Sequence, residues 1–182
     1  MLALITGGAA SGKSELAERL AVACGGRMAY LATMRLWDDE CRARAEKHRA
    51  MRAGKGFETV ECPFGDLGGM AGKSCDTALL EDLSNLAANV MFSNETRARD
   101  PAALIAGKLE AARAAARNLI IVTNEIFSDT GGYDEATLRY IRLLGGLNRA
   151  LGAAADIVAE SVCGIPVFYK GKERAEKYEN IF

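Results

Sequence analysis

The 182 residues, 49% apolar and 26% charged, suit a single globular domain, and a formal net charge of −1 excludes the generic basic surface of a nucleic-acid binder. No apolar run nears the roughly 18 residues of a membrane span, and the short N-terminal run enters a glycine loop instead of a cleavage site. Five cysteines without C-x-x-C spacing predict reduced thiols, neither a disulfide framework nor a zinc site, and a cytoplasmic location.

In chain order, Leu2–Ile5 predicts a buried strand and Lys13–Ala23 a helix with Leu16, Leu20 and Ala23 on one face, closed by Gly25-Gly26. Met28–Thr33 predicts a second buried strand. From Met34 to about Ala53 the chain is rich in arginine and acid with no Gly or Pro, which predicts a solvated helix. Phe57–Cys62 alternates as a half-exposed strand does, and Pro63–Lys73 reads as loop. Thr77–Leu80 predicts a buried strand, Leu83–Phe92 a helix and Ser93-Asn94-Glu95 a loop. Asp100-Pro101 starts an alanine-rich helix that should run to Arg117.

Asn118–Thr123 is the clearest strand. After a glycine-bearing loop at Ser128–Tyr133, a long helix to Ala155 should carry Leu138, Ile141, Leu144, Leu147 and Leu151 as its stripe. Ile157–Val162 predicts a strand, Gly164-Ile165-Pro166 a turn, Val167–Tyr169 a last strand, and Lys170–Phe182 a frayed helix. Strands alternating with helices predict an α/β fold whose mostly parallel sheet is covered on both faces. The expected organisation is one nucleotide-binding domain over residues 1–170 and a charged tail over 171–182.

The first strand runs into Thr6-Gly7-Gly8-Ala9-Ala10-Ser11-Gly12-Lys13-Ser14, which fills the phosphate-loop pattern G-x-x-x-x-G-K-[ST]. Glycines let backbone N–H groups curl around phosphate oxygens, Lys13 reaches the outer phosphates, and the Ser14 hydroxyl can hold Mg2+. The following helix turns its positive end to the same place. A second triplet, Gly72-Lys73-Ser74, is a decoy: Leu67 stands where the first glycine is needed, and the triplet precedes an apolar run.

Ligands of open α/β sheets bind beyond the carboxyl ends of the strands. Thr33, Glu81-Asp82 and Asn124-Glu125 stand at such ends. A carboxylate there can hold magnesium or take a proton from a substrate hydroxyl; solvated strand ends are the plain alternative. His48, the sole histidine, lies in Arg44-Ala45-Glu46-Lys47-His48-Arg49-Ala50-Met51-Arg52. Composition alone makes it ordinary surface. Yet cationic neighbours favour neutral imidazole and attract triphosphate, and neutral imidazole is a competent nucleophile towards an α-phosphorus.

From Leu4 to about Lys170 the chain resembles the adenosylcobinamide kinase / adenosylcobinamide-phosphate guanylyltransferase family of cobalamin biosynthesis. The motifs that carry the resemblance occur in order: the Thr6–Ser14 loop, Tyr30-Leu31-Ala32-Thr33, Asp38-Asp39-Glu40, Arg44 to His48 with Arg52, and Glu81 followed by Asn89. Val122-Thr123-Asn124-Glu125, Asn148-Arg149, Ala153–Asp156 and Gly164-Ile165-Pro166 complete the set. The resemblance implies a RecA-like, three-layer P-loop NTPase fold, assembled as a homotrimer with sites near subunit boundaries.

It also implies two activities on a corrinoid: phosphorylation of the aminopropanol hydroxyl of adenosylcobinamide with ATP or GTP, then transfer of GMP from GTP through a guanylylated histidine. By position that histidine is His48, with Lys13 as the second catalytic residue. The implied nucleotide contacts fall on Gly7, Gly8, Ala9, Ala10, Ser11, Gly12, Lys13 and Ser14, on Thr33, Met34 and Arg35, on Arg49, Ala50, Met51 and Arg52, and on Glu61 and Glu81. Ser14 and Glu81 are the candidate metal ligands.

The chain departs from the family's pattern at Ala10, where arginine is usual, at Ala45, where an aliphatic residue is usual, and at Cys163, where serine is common. Two other readings of the residues stay open: a P-loop kinase of another small alcohol with His48 as surface, and a non-catalytic nucleotide-binding switch.

Overall fold

The computed structural model describes residues 1–36, 38–66, 75–93, 100–128 and 131–178, apart from the side chains of Glu40 and Arg44. The Gly72-Lys73-Ser74 decoy, most of the Pro63–Lys73 loop, the expected loop residues Asn94-Glu95, part of Ser128–Tyr133 and the end of the tail lie outside the described residues.

Seven strands form one sheet: β1 (Leu2–Thr6), β2 (Met28–Ala32), β3 (Phe57–Glu61), β4 (Cys75–Glu81), β5 (Ala116–Val122), β6 (Ile157–Val162) and β7 (Ile165–Lys170). Their spatial order is β3-β2-β4-β5-β1-β6-β7, and every pairing is parallel except the β6–β7 hairpin. The central strands are apolar without a break because both faces are covered. Along β1 and β5, Leu2, Leu4, Leu119 and Ile121 enter one core while Ala3, Ile5, Ile120 and Val122 enter the other.

Helix α1 (Lys13–Cys24) covers the second face with Leu16, Ala17, Leu20 and Ala21. The first face is covered by α3 (Leu83–Phe92), α4 (Pro101–Ala115) and α5 (Glu135–Ala154). The result is a three-layer α/β architecture of the P-loop NTPase type.

Helix α2 (Asp39–Met51) stands apart: among its described side chains none is buried. It is shorter than the predicted Met34–Ala53 because Asp38 accepts from the Cys41 N–H at 2.7 Å and so caps the helix there. At the other end Arg52 is drawn under the sheet edge, 6% exposed, and the positive φ angles of Gly54 and Gly56 turn the chain into β3.

Other boundaries also moved. Helix α4 stops at Ala115, not Arg117, because Ala116 already pairs with Cys75 in the β4–β5 ladder. Leu138 is 37% exposed, and the buried stripe of α5 is Leu144 and Leu147, with Tyr140, Leu143 and Leu151 packed beside them. The hairpin turn is Cys163-Gly164, both at positive φ, with Val162 opposite Ile165. Strand β7 therefore includes Pro166, tolerated because this is an edge strand. Of the expected terminal helix, one turn, α6 (Lys172–Ala175), is present among the described residues; Lys170 belongs to β7, and Ala175 is buried in the α1-side core.

The turn after α2 is tied to α1 by an ion pair. Lys55 Nζ lies 2.6 Å from Glu18 Oε2, with the Glu18 side chain 1% exposed and Lys55 a third exposed. The other oxygen, Glu18 Oε1, has no hydrogen-bond partner among the described residues. Lys55→Met is expected to cost about 2–3 kcal/mol in urea denaturation, since it strands a buried carboxylate whose lysine keeps some solvent. The double variant Glu18→Gln, Lys55→Met should recover part of that loss; equal midpoints for parent and Lys55→Met would contradict it.

Candidate active site

The sequence places a loop directly after β1, and the fold explains why that loop requires glycine. A Cβ on Gly7 would lie 2.8 Å from the Ser161 carbonyl oxygen, and one on Gly12, at φ 89°, would lie 3.1 Å from Gly164 Cα. The loop is pinned from β6 and its hairpin: the Ser161 hydroxyl and the Gly164 N–H both donate to the Ser11 carbonyl, at 2.7 and 2.8 Å. Helices α2, α3, α4 and α5 are each capped by an aspartate, Asp38, Asp82, Asp100 and Asp134. By contrast α1 begins at Gly12 with no side-chain cap. Its first N–H groups are thus left for an anion, which the helix dipole favours. Lys13, 9% exposed, donates from Nζ to the Gly8 carbonyl at 3.1 Å, which holds its ammonium over the loop.

Beside the loop, β4 ends in two buried carboxylates. Ser14 Oγ donates to Glu81 Oε1 at 2.7 Å, while Glu81 Oε2 is buried without a hydrogen-bond partner among the described residues. Both oxygens of Asp82 are engaged, Oδ1 by the Asn85 N–H at 2.7 Å and Oδ2 by the Asn124 amide at 3.4 Å. Burial, reinforced by the Asp82 charge, pushes the Glu81 carboxyl up to about 8, and burial raises Asp82 too.

A hydroxyl, an orphaned carboxylate oxygen and surplus negative charge are what a hard divalent cation such as Mg2+ takes, with water and phosphate supplying its other ligands. Among the described residues no group of three or more His, Cys, Asp or Glu could hold a metal ion.

This gives a pH expectation for protein kept in EDTA. The Glu81 pKa is raised on folding, from 4.5 to about 8. Its contribution to stability is therefore full below about pH 4.5 and is lost as pH rises through about 8. Melting temperatures measured across that window should fall for the parent relative to Glu81→Gln. A constant difference between the two would refute the assignment.

The facing wall comes from α2 and the strand below it. The Arg52 guanidinium lies 3.6 Å from the centre of the Tyr30 ring and donates to Thr59 Oγ1 at 3.2 Å. Tyr30 meets Phe57 edge-on at 6.0 Å, and burial, then the Glu81 charge, raises its hydroxyl pKa. One turn earlier on α2, Arg49 pairs with Glu61 at 2.7 Å. His48, half-buried in the last turn of α2, faces the same cleft of about 800 Å3 as the loop.

Of the residues expected to contact nucleotide, the cleft is lined by Ala9, Ala10, Ser11, Gly12, Lys13, Ser14, Met34, Arg49, Met51, Arg52, Glu61 and Glu81, and the expected catalytic His48 lines it too. Gly7 and Gly8 shape the loop without lining the cleft. Ala50 lies on the exposed side of α2, and Arg35 stacks on Phe64 at 5.2 Å. Thr33 is fully buried: its hydroxyl lies 2.9 and 2.8 Å from the carbonyls of Glu81 and Asp82, so it supports the strand end from below.

The family described as cobinamide kinase / cobinamide phosphate guanyltransferase matches residues 3–168. The chain belongs to this family. It is 32% identical over 173 residues to the bifunctional adenosylcobalamin biosynthesis protein CobP of Pseudomonas aeruginosa, covering 93% of this chain and 97% of the relative. It is also 30% identical over 184 residues to the bifunctional adenosylcobalamin biosynthesis protein CobU of Salmonella typhimurium, and 32% over 185 residues to that of Escherichia coli. Each alignment covers 93% of this chain and 100% of the relative.

As a member of the cobinamide kinase / cobinamide phosphate guanyltransferase family the chain is an enzyme, a nucleotide-dependent transferase. Among the described residues no helix is long and apolar enough to cross a membrane. Reading the residues had assigned no role to Tyr30 or Asn85, which the cleft includes. Tyr30 carried a signal, an aromatic hydroxyl in the middle of an otherwise apolar strand. Asn85 carried a weaker one, its place in the first turn of a helix that starts at a strand end.

Proposed function

We propose that this chain phosphorylates the aminopropanol hydroxyl of adenosylcobinamide with ATP or GTP and then transfers GMP from GTP to that phosphate through a covalent His48 intermediate. The observation that carries the reading is the shared cleft: His48 on α2 and the Lys13–Ser14–Glu81 group on the loop wall face one space. The family's description supports a cobinamide substrate and the two activities, and the relatives' names, bifunctional adenosylcobalamin biosynthesis proteins, support their pairing in one chain.

In the kinase step the uncapped start of α1, the loop N–H groups and Lys13 hold the triphosphate and stabilise charge on its outer oxygens. Mg2+ held by Ser14 and Glu81 would neutralise charge between the outer phosphates. In the guanylyl step an imidazole nitrogen of His48 attacks the α-phosphorus of GTP. An N–P bond forms, the α–β P–O bond breaks and pyrophosphate leaves. The acceptor's phosphate oxygen then attacks the same phosphorus, breaking the N–P bond and restoring His48. Arg49 and Arg52 stand on the same wall to take up charge on the oxygens.

The same reading takes the chain to be a cytoplasmic homotrimer. Within the chain this draws support from the exposed Val162, Ile165, Val167 and Tyr169 of the β6–β7 hairpin, an apolar face of the kind that subunits cover. The test is incubation with GTP labelled in the α-phosphate, followed by mapping of the labelled residue and assay of transfer to phosphorylated adenosylcobinamide. An acid-labile label on His48 is expected. Absence of any adduct in a protein that still phosphorylates the acceptor would reduce the reading to a kinase.

A further inference from the structure

The cleft has a second wall that the nucleotide reading leaves without a task. It is built from the ends of β4 and β5 and the first turn of α3, and it presents Asp82, Asn85, Asn124, Glu125 and Ile126. Because β5 lies between β4 and β1, its end sits between the Glu81-Asp82 pair and the phosphate loop. The Glu125 N–H donates to the Gly7 carbonyl at 3.0 Å, so the residue is tied to the loop itself.

The carboxylates around the cleft are not equivalent. Glu81 is taken by Ser14 and the candidate cation position, and both oxygens of Asp82 accept from Asn85 and Asn124. Glu61 is paired with Arg49, and Glu15 is exposed with no hydrogen bond among the described residues to orient it. Glu125 differs from all of them. Its Oε1 accepts from the Phe127 N–H at 2.8 Å and the Ser128 hydroxyl at 3.1 Å, which fixes the carboxylate plane, while Oε2 has no partner among the described residues. An oriented carboxylate with one open oxygen, beside the outer-phosphate end of a P-loop, is the arrangement a hydroxyl nucleophile requires. Asn85, at the start of α3, adds a hydrogen-bonding amide to the same wall.

We propose that this wall is the subsite for the acceptor alcohol and that Glu125 is the base of the kinase step. The inference rests on the kinase half of the proposed function. The acceptor oxygen attacks the γ-phosphorus, forming an O–P bond as the β–γ bridging P–O bond breaks and the nucleoside diphosphate leaves. The hydroxyl proton passes to Glu125 Oε2 and from there to water. Two steps in one cleft thus use different groups: Glu125 for phosphoryl transfer and His48 for guanylyl transfer.

The experiment compares the full-length parent with Glu125→Gln, Glu125→Ala and Asn85→Ala, measuring adenosylcobinamide phosphorylation and, separately, labelling by α-labelled GTP. Glu125→Gln, which keeps the Oε1 contacts, and Glu125→Ala should both lower the kinase kcat about a hundredfold or more, with nucleotide KM within threefold. Labelling by GTP should change by less than threefold in both, which also shows that the variants fold. Asn85→Ala should raise the acceptor KM about tenfold and leave nucleotide KM unchanged.

A kinase kcat within threefold of the parent in Glu125→Gln would overturn the base. An unchanged acceptor KM in Asn85→Ala would overturn the subsite. Kinase and labelling lost together would assign Glu125 to the loop's architecture and overturn its role as base. A parent that phosphorylates no acceptor but is labelled by GTP would remove the kinase reading itself, an outcome distinct from the failure of Glu125.

Discussion

His48→Ala is expected to reduce the covalent nucleotide adduct formed with labelled GTP by at least about a thousandfold, to background, while adenosylcobinamide phosphorylation stays within about threefold of the parent. The separation follows from how α2 is attached. No described side chain of the helix is buried, and the segment is anchored in its last turn by Arg49 with Glu61 and past its end by Arg52 on Tyr30 and by Lys55 with Glu18. Removing the imidazole therefore leaves those anchors, and the opposite wall of Lys13, Ser14 and Glu81, where they are. Normal labelling in His48→Ala would show that the nucleophile is another residue. Loss of both activities would show that α2 also shapes the kinase site.

Lys13→Met should lower both activities by about 10²–10³-fold in kcat/KM. Lys13 is buried, and its ammonium is the charge directly over the loop, so each nucleotide held there loses the same stabilisation. Methionine keeps the length of the side chain in a pocket beside Gly8, and the circular dichroism spectrum should not change. The informative result is the ratio of the two losses. If only phosphorylation falls, GTP for the guanylyl step is held away from the loop, and the single-cleft mechanism is wrong.

Much of the scaffold was readable from local pattern. The P-loop was legible because its residues act through backbone conformation and spacing within nine positions, Thr6 to Ser14. Helix α3 has the predicted bounds because Asp82 caps it through the Asn85 N–H at the very point where β4 ends. Boundaries failed where a distant partner decided them. Ala116 is an acceptable helix residue that extends because Cys75 is alongside it, and Pro166 sits in a strand because β7 has no further neighbour. Leu138 has the right apolarity for the α5 stripe, yet the helix turns it to solvent.

The site divides in the same way. Lys13, Ser14, Glu81 and the pair Asn124-Glu125 could be picked out because strand ends and phosphate loops are local signatures. No local signal says that Tyr30 would lie under Arg52, that Thr33 would support a strand end instead of lining the cleft, or that Glu81 would be pushed up to about 8 by burial beside Asp82.

The sequence by itself determined an alternating α/β chain, a phosphate loop placed after its first strand, and one histidine among cations. Only the tertiary structure decided that the histidine's helix, anchored through Arg52 and Lys55, sets His48 on the same cleft as that loop. It also decided that Glu125, on the wall formed by the ends of β4 and β5, is oriented through Oε1 and keeps Oε2 without a partner among the described residues. The reason is physical: hydrogen-bonding pattern and period act over a few residues, whereas burial, ion pairing and the field at a carboxyl depend on groups that only folding brings together.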